Sequence, residues 1–370
     1  MKILVTGANG FIGKNLLLRL DEMQGVEGIP YTRNQDIQEL GNLIHQADFV
    51  FHLAGVNRPD DPSEFKKINT NLTCNLIKQI ESSGKCIPLL LASSTQAELD
   101  NPYGKSKLAA EVAVAEFSTN SGNPVFIYRL PNVFGKWCRP EYNSVVATFC
   151  HHIANGQPID IHNPSTNLSL VYIDDVIDAF ISDLRSGEDG ITNRDIQPVY
   201  KITLGELAAQ LRCFRESRDS LVTEPVGCGL TRALYATYLS YLEPDKFFYS
   251  LDQNIDERGR FVEFLKTKDS GQFSFFTAKP GITRGGHYHH TKSEKFLVVQ
   301  GKALFKFKHM QTGCSHEITT SDEKSQVVET IPGWAHDITN IGKEELIVLL
   351  WANEIFNPDL PDTIGAALDG

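Results

Sequence analysis

Lys2-Ile-Leu-Val-Thr-Gly7-Ala-Asn9-Gly10-Phe11-Ile12-Gly13 opens the chain with an apolar run, a loop bearing glycines at three-residue intervals, and the start of an apolar-periodic stretch. A glycine loop on its own marks many turns, but between a strand and a helix it has a specific physical use. Gly7 permits a tight turn, Gly10 lets the backbone approach a pyrophosphate, and Gly13 lets the helix pack against the strand. The free amides of the first helical turn then face the anion. After the second apolar stretch, an acidic residue is expected where the ribose 2′-hydroxyl of NAD is held. The sequence there reads Pro30-Tyr-Thr-Arg33-Asn. An arginine accommodates a 2′-phosphate, so the reading favours NADPH, with Asp36 and Ile37 flanking the adenine.

From Met1 to about Leu242, apolar strands alternate with amphipathic helical stretches. Strands are expected at Ile3–Val5, Phe49–Leu53, Pro88–Ala92 and Val125–Tyr128. Helices are expected at Phe11–Leu20, Asn71–Ser82, Lys105–Ser118, Glu206–Phe214 and Leu230–Tyr241. That alternation calls for a Rossmann-type, doubly wound parallel α/β sheet with right-handed crossovers. After Pro244 the texture changes to short β-type runs: Phe273–Phe276, Phe296–Val299, Ala303–Phe307, Gln326–Thr330 and Leu346–Leu350. Strands without intervening helices indicate an all-β barrel or sandwich. The expected layout is a dinucleotide-binding domain over residues 1–243, a linker over 244–251 and a β domain over 252–370.

Composition agrees with two soluble domains. The chain has 370 residues, 41% hydrophobic and 22% charged, with a formal charge of -11. That balance argues against a nucleic-acid or membrane surface, which presents a basic face. The first residues run directly into a strand, and no apolar run approaches the roughly 20 residues of a spanning helix. Seven scattered cysteines, with no Cys-x-x-Cys spacing, fit buried thiols in a reducing cytoplasm.

Tyr103-Gly-Lys-Ser-Lys107 places a phenol and an ammonium four residues apart, on one face of a helix. A nearby cation is expected to lower the phenol's pKa and make it a proton donor to a developing alkoxide. Ser94, at the end of a strand, is positioned to bind the same oxygen. With His52-Leu53-Ala54-Gly55, Asn69, Arg129-Leu-Pro-Asn132-Val-Phe-Gly135 and Val171-Tyr-Ile-Asp-Asp175, this set resembles the extended short-chain dehydrogenase/reductases over roughly the first 240 residues. The resemblance implies Ser94, Tyr103 and Lys107 as catalytic. It implies cofactor contacts from Gly7, Asn9, Gly10, Phe11, Ile12, Gly13, Arg33, Leu53, Ala54, Gly55, Tyr103 and Lys107. Asn132 is implied as a contact to a sugar-nucleotide diphosphate. Arg129 and Asp174 are open between a functional reading and structural ones, a strand-end anchor and a helix N-cap. The short spacing between Ser94 and Tyr103 departs from the family and trims the loop beside the substrate.

Toward the other end, Gly281-(x)5-His287-x-His289-(x)4-Glu294-(x)6-Gly301 is followed by Ile331-Pro332-Gly333-Trp-Ala-His336-(x)3-Asn340. His287 and His289 alternate along a strand and share a face, and Glu294 offers a hard oxygen beyond the next turn. These spacings resemble the cupin motifs. They imply His287, His289, Glu294 and His336 as ligands of zinc or another divalent transition metal. His290 is an alternative ligand if the strand bends at His289. Arg284-Gly-Gly-His287-Tyr-His289 also resembles the sugar 3,5-epimerases and 3,4-ketoisomerases, in which histidine acts as acid or base. His287 is therefore open between ligand and catalytic base.

Both halves suit a 4-keto sugar nucleotide, whose C3–H is acidic beside the ketone and whose carbonyl is reducible. Epimerisation must precede reduction, because reduction removes the ketone that makes C3–H labile. The fusion resembles reductase–cupin enzymes of capsular polysaccharide and O-antigen synthesis. That resemblance implies conversion of UDP-2-acetamido-2,6-dideoxy-4-hexulose to UDP-N-acetyl-L-talosamine by a cytoplasmic homodimer. The alternative is a single-function epimerase, dehydratase or reductase with the cupin as a binding or dimerisation module.

Overall fold

The computed structural model describes residues 1–59, 61 and 63–368. They form two compact units, one of residues 1–212 and 232–242, the other of residues 213–231 and 243–370.

The first unit alternates strands and helices: β1 (Lys2–Thr6), α1 (Phe11–Asp21), β2 (Glu27–Tyr31), α2 (Ile37–Gln46), β3 (Phe49–His52), α3 (Leu72–Ser83), β4 (Leu89–Ser94), α4 (Pro102–Ser121) and β5 (Val125–Leu130). Then follow β6 (Asn132–Phe134), α5 (Val145–Ala154), β7 (Asn167–Tyr172), α6 (Ile173–Asp183), β8 (Ile191–Arg194) and β9 (Tyr200–Thr203). The main sheet is six-stranded and parallel, in the order β2-β1-β3-β4-β5-β8. The chain leaves β1 for β2 on one side and crosses to β3 on the other, creating a switch point at the carboxyl ends of β1 and β3.

Both faces of the sheet are covered, which explains why its strands read as continuous apolar runs rather than alternating ones. On one face Leu40 and Ile44 of α2, Leu76 and Ile80 of α3, and Val114 and Phe117 of α4 bury against Leu4, Val50, Leu91 and Ile127. On the other, Phe180 of α6 stacks on Phe51 with ring centroids 5.8 Å apart. Each such side chain, fully withdrawn from water, contributes roughly 1.5–3 kcal/mol. A small second sheet, β6-β7-β9, lies outside this layer.

Helix α2 is absent from the alternation expected above. A capping box starts it: Asp36 Oδ1 accepts from the amides of Gln38 and Glu39, and Glu39 accepts from the Asp36 amide. Asp36 thus has a structural task. Helix α4 begins at Pro102, three residues before the expected start. Asn101 caps it by accepting from the Gly104 amide at 2.7 Å, and proline suits the first turn. That early start is what brings Tyr103 into the helix.

Helix α7 (Leu204–Ser220) runs through the division between the units, β10 (Val222–Thr223) belongs to the second, and α8 (Gly229–Leu239) ends in the first. The rest of the second unit is β-structure: β11 (Asn254–Asp256), β12 (Gly259–Thr267), β13 (Gly271–Ala278), β14 (Thr283–Tyr288), β15 (Glu294–Gln300), β16 (Lys302–His309), β17 (Ser315–Ser321), β18 (Val327–Glu329), β19 (Trp334–Asn340), β20 (Leu346–Ala352) and β21 (Ile364–Gly365). One sheet runs β10-β12-β13-β20-β15-β18 with β11 beside β12, the other β17-β16-β19-β14-β21. Every second residue faces inward: Phe276, Ala278, Phe296, Val298, Leu346 and Val348 from one sheet meet Ala303, Phe305, Phe307 and Ile338 from the other. The fold is the expected pairing of a Rossmann-type α/β sheet with an all-β cupin.

Candidate active site and metal centre

A cleft of about 960 Å³ opens over the carboxyl ends of the parallel strands and is lined by the Gly7–Gly13 loop, Leu53, Gly55, Ser94, Tyr103, Lys107 and Asn132. Two glycines here are compulsory. Gly7 has φ of 70°, and a Cβ on it would sit 2.7 Å from the Ala54 nitrogen. A Cβ on Gly13 would sit 2.4 Å from the Gly7 carbonyl oxygen. Ala54 therefore backs the loop from behind and is not part of the cleft lining. No side chain caps α1 at Gly10 and its first turn holds no acid, so this N-terminus suits a dinucleotide's pyrophosphate. Arg33 is exposed in the turn after β2, just past the pairing of Thr6 with Tyr31, and does not line the cleft.

The end of β4 delivers Ser94, and α4 delivers Tyr103 and Lys107. Burial pushes the Tyr103 hydroxyl above its usual pKa, and a hydrogen bond from Ser94 draws it part of the way back. The expectation of a phenol made more acidic by lysine is thus not met in the protein alone. Desolvation of the ring outweighs the Ser94 hydrogen bond, and Lys107 Nζ donates to the Ala92 carbonyl at 2.9 Å. Lys107 is itself buried, and burial lowers its pKa to about 8 against a smaller opposing pull from Glu111. Asn69 was read only as part of a motif, yet it is a tie-bar. It exchanges hydrogen bonds with the Val56 backbone at 2.8 and 2.9 Å and donates to Ser106 Oγ at 2.9 Å, coupling the loop after β3 to α4.

Asn132 opens β6 at the cleft edge and donates to the Ser169 carbonyl at 3.3 Å. Arg129 faces Glu111 and Glu98, which makes it an anchor. Asp174 lies inside the first turn of α6 and not at its N-cap, which is Tyr172, and it pairs with Lys136 at 2.6 Å.

The second unit brings together His287, His289, Glu294 and His336, with one ligand atom from each within 4.8 Å of all the others. His287 and His336 are cross-strand partners of β14 and β19, and their rings lie 4.7 Å apart. A bulge between Gly285 and His287 re-aims the strand at this point. Glu294 Oε2 lies 3.3 Å from His289 Nε2 and 3.3 Å from His336 Nε2. Donors of a tetrahedral zinc at its usual bond lengths stand about 3.4 Å apart, so the set fits such an ion. Burial alone would raise the Glu294 carboxyl. The His289 and His336 imidazoles and the Lys292 ammonium outweigh it and hold that group well below the usual carboxylate range. Burial, aided by His336, lowers His287 to about 4, so its ring is neutral at pH 7. His290 is exposed and outside the cluster.

Lys292 and Asp362 also belong to this site, and the motif reading missed them. Lys292 is 8% exposed and places Nζ 3.1 Å from Glu294 Oε1. A lysine two residues before a ligand was the available signal. Asp362 is some seventy residues from the backbone it holds, and no local pattern marks it.

Residues 3–197 match the NAD dependent epimerase/dehydratase family, and residues 254–364 match the polysaccharide biosynthesis C-terminal domain. The chain belongs to the NAD dependent epimerase/dehydratase family. It is 55% identical over 368 residues to the UDP-2-acetamido-2,6-beta-L-arabino-hexul-4-ose reductase of Pseudomonas aeruginosa, covering 100% of this chain and 99% of that protein. It superposes on the capsular polysaccharide assembling protein CapF from Staphylococcus aureus with a TM-score of 0.92 at 41% identity, covering 99% of this chain and 100% of that one. The UDP-glucuronic acid 4-epimerase from Bacillus cereus, solved with NAD, shares the fold alone, at 18% identity and a TM-score of 0.55 over 65% of this chain and 98% of that one. No helix among the described residues is long and apolar enough to cross a membrane.

Proposed function

We propose that the chain is a bifunctional nucleotide-sugar enzyme. Residues 252–370 invert C3 of a UDP-2-acetamido-2,6-dideoxy-4-hexulose, and residues 1–243 then reduce its C4 ketone with NADPH, giving UDP-N-acetyl-L-talosamine for a surface polysaccharide. The observation that carries this is the presence in one chain of two reactive clusters, Ser94–Tyr103–Lys107 and His287–His289–Glu294–His336, each suited to a different step on one ketone. The Pseudomonas relative's name specifies a UDP-linked 4-ulose, which supports the substrate class.

In the reductase, bound NADPH supplies the hydride. Tyr103 donates its proton to the oxygen at C4, and Ser94 holds that oxygen by a hydrogen bond. Lys107 keeps a positive charge beside the phenol as it becomes phenolate. Arg33 receives the 2′-phosphate, and Asn132 meets the diphosphate of the sugar nucleotide. In the cupin, His287, His289, Glu294 and His336 would hold a divalent ion, which would supply Lewis-acid polarisation of the ketone oxygen. His287, neutral at pH 7, has a lone pair for that ion or for the C3 proton.

Proton exchange in deuterated water tests the two steps apart. The proposal expects deuterium at C3 without NADPH, and loss of the ketone only with it. Reduction with no exchange at C3 would instead make the cupin a binding module.

A further inference from the structure

We propose that Asp362, in the strap of chain that ends at β21, is a positioning residue of the metal centre: it fixes the turn carrying His289 and selects that ring's tautomer. The inference rests on the metal reading of the His287, His289, Glu294 and His336 cluster.

Asp362 holds the turn with every acceptor it has. Its Oδ1 accepts from the His290 amide at 2.8 Å. Its Oδ2 accepts from the Thr291 amide at 2.7 Å, the Lys292 amide at 2.8 Å and Thr291 Oγ1 at 3.0 Å. Its backbone carbonyl takes a hydrogen bond from His289 Nδ1. A carbonyl only accepts, so Nδ1 of His289 carries a proton and Nε2 is the ring nitrogen left to face a metal. Nε2 lies 3.3 Å from Glu294 Oε2, and a cation held by this cluster would take the place of the proton shared there. The strap continues along the strand of the other ligand. Ile364 and Gly365 pair with Tyr288 and His287, and the Ala366 amide donates to the Gly286 carbonyl at 2.9 Å. A carboxylate is required, because the amide of an asparagine would turn a donor toward amides that already donate.

Metal affinity tests this without relying on activity. The metal-free full-length protein is titrated with zinc(II) against a competing chelator, and with cobalt(II) while its visible absorption is followed. Partners that orient a ligating histidine contribute about 10–100-fold to metal affinity. Asp362→Asn and Asp362→Ala are expected to weaken zinc binding at least tenfold and to alter the cobalt spectrum. The far-UV circular dichroism spectrum without metal should stay that of the parent. Thr291→Val, which removes one hydrogen bond, should fall between, and Asp359→Asn in the same segment should bind as the parent does. Asp362 variants with the parent's affinity and cobalt spectrum overturn the proposal. A parent that binds no zinc overturns the metal reading itself, and this proposal with it.

Discussion

Arg129 grips Glu111 from two directions: Nε reaches both carboxylate oxygens at 3.1 Å, and Nη2 reaches Oε2 at 2.7 Å. Glu111 is 6% exposed and takes one further hydrogen bond, from Ser93. Replacing Arg129 by methionine leaves a buried carboxylate without its counter-charge. Because the guanidinium is partly in water, the expected cost is about 2 kcal/mol, below the range for fully buried pairs. Urea unfolding measures it. The KM for the sugar nucleotide should stay within twofold, and a stable variant with a tenfold higher KM would make Arg129 a substrate contact instead.

On the proposal that the cofactor is NADPH, its 2′-phosphate has one expected partner in the turn after β2, Arg33. Arg33→Ala should raise the Kd for NADPH about tenfold, the value of one lost charge-assisted interaction, and leave that for NADH unchanged. Fluorescence titration of both nucleotides reads the ratio. Equal weakening of both would remove Arg33 from the specificity site.

Tyr103→Phe deletes the proposed proton donor to the alkoxide and leaves a ring of nearly the same shape. Ketone reduction should fall by about 10²–10⁴-fold, while proton exchange at C3 continues. His287→Ala should do the reverse. Loss of both activities in a folded Tyr103→Phe protein would mean that the steps are catalytically coupled.

On the proposed mechanism, Lys107 sets the pH response of reduction. Burial brings its pKa down to about 8, and the protonated form is the one that steadies the phenolate. The kcat/KM for reduction should therefore decline as pH rises through about 8, and Lys107→Arg, which stays charged, should move that limb upward. The linked stability runs the other way. Between about 8 and the ordinary 10.5, the unfolded chain holds a proton that the native chain has shed. This group alone then makes folding more favourable as pH rises.

Much of this architecture was legible in the sequence because it is written in short-range patterns. Gly7, Gly10 and Gly13 lie in one loop, Tyr103 and Lys107 in one helical turn, and His287, His289 and Glu294 in the short stretch from the end of β14 to the start of β15. What escaped was set by distance or by competition between forces. Asp362 reaches the His289 turn from seventy residues away, and Glu111 reads as a surface acid until Arg129 arrives from β5. The charge of Lys107 is visible in sequence, whereas the burial that raises the Tyr103 hydroxyl is not. Helix α2 was overlooked although Asp36 and Glu39 carry its capping signal.

Mass spectrometry of a UDP-2-acetamido-2,6-dideoxy-4-hexulose incubated with the enzyme in deuterated water, with and without NADPH, tests the central claim most directly. The expected result is one deuteron at C3 in either case, and a product two hydrogens richer only when NADPH is present and consumed. A sugar left as ketone with NADPH untouched would contradict it.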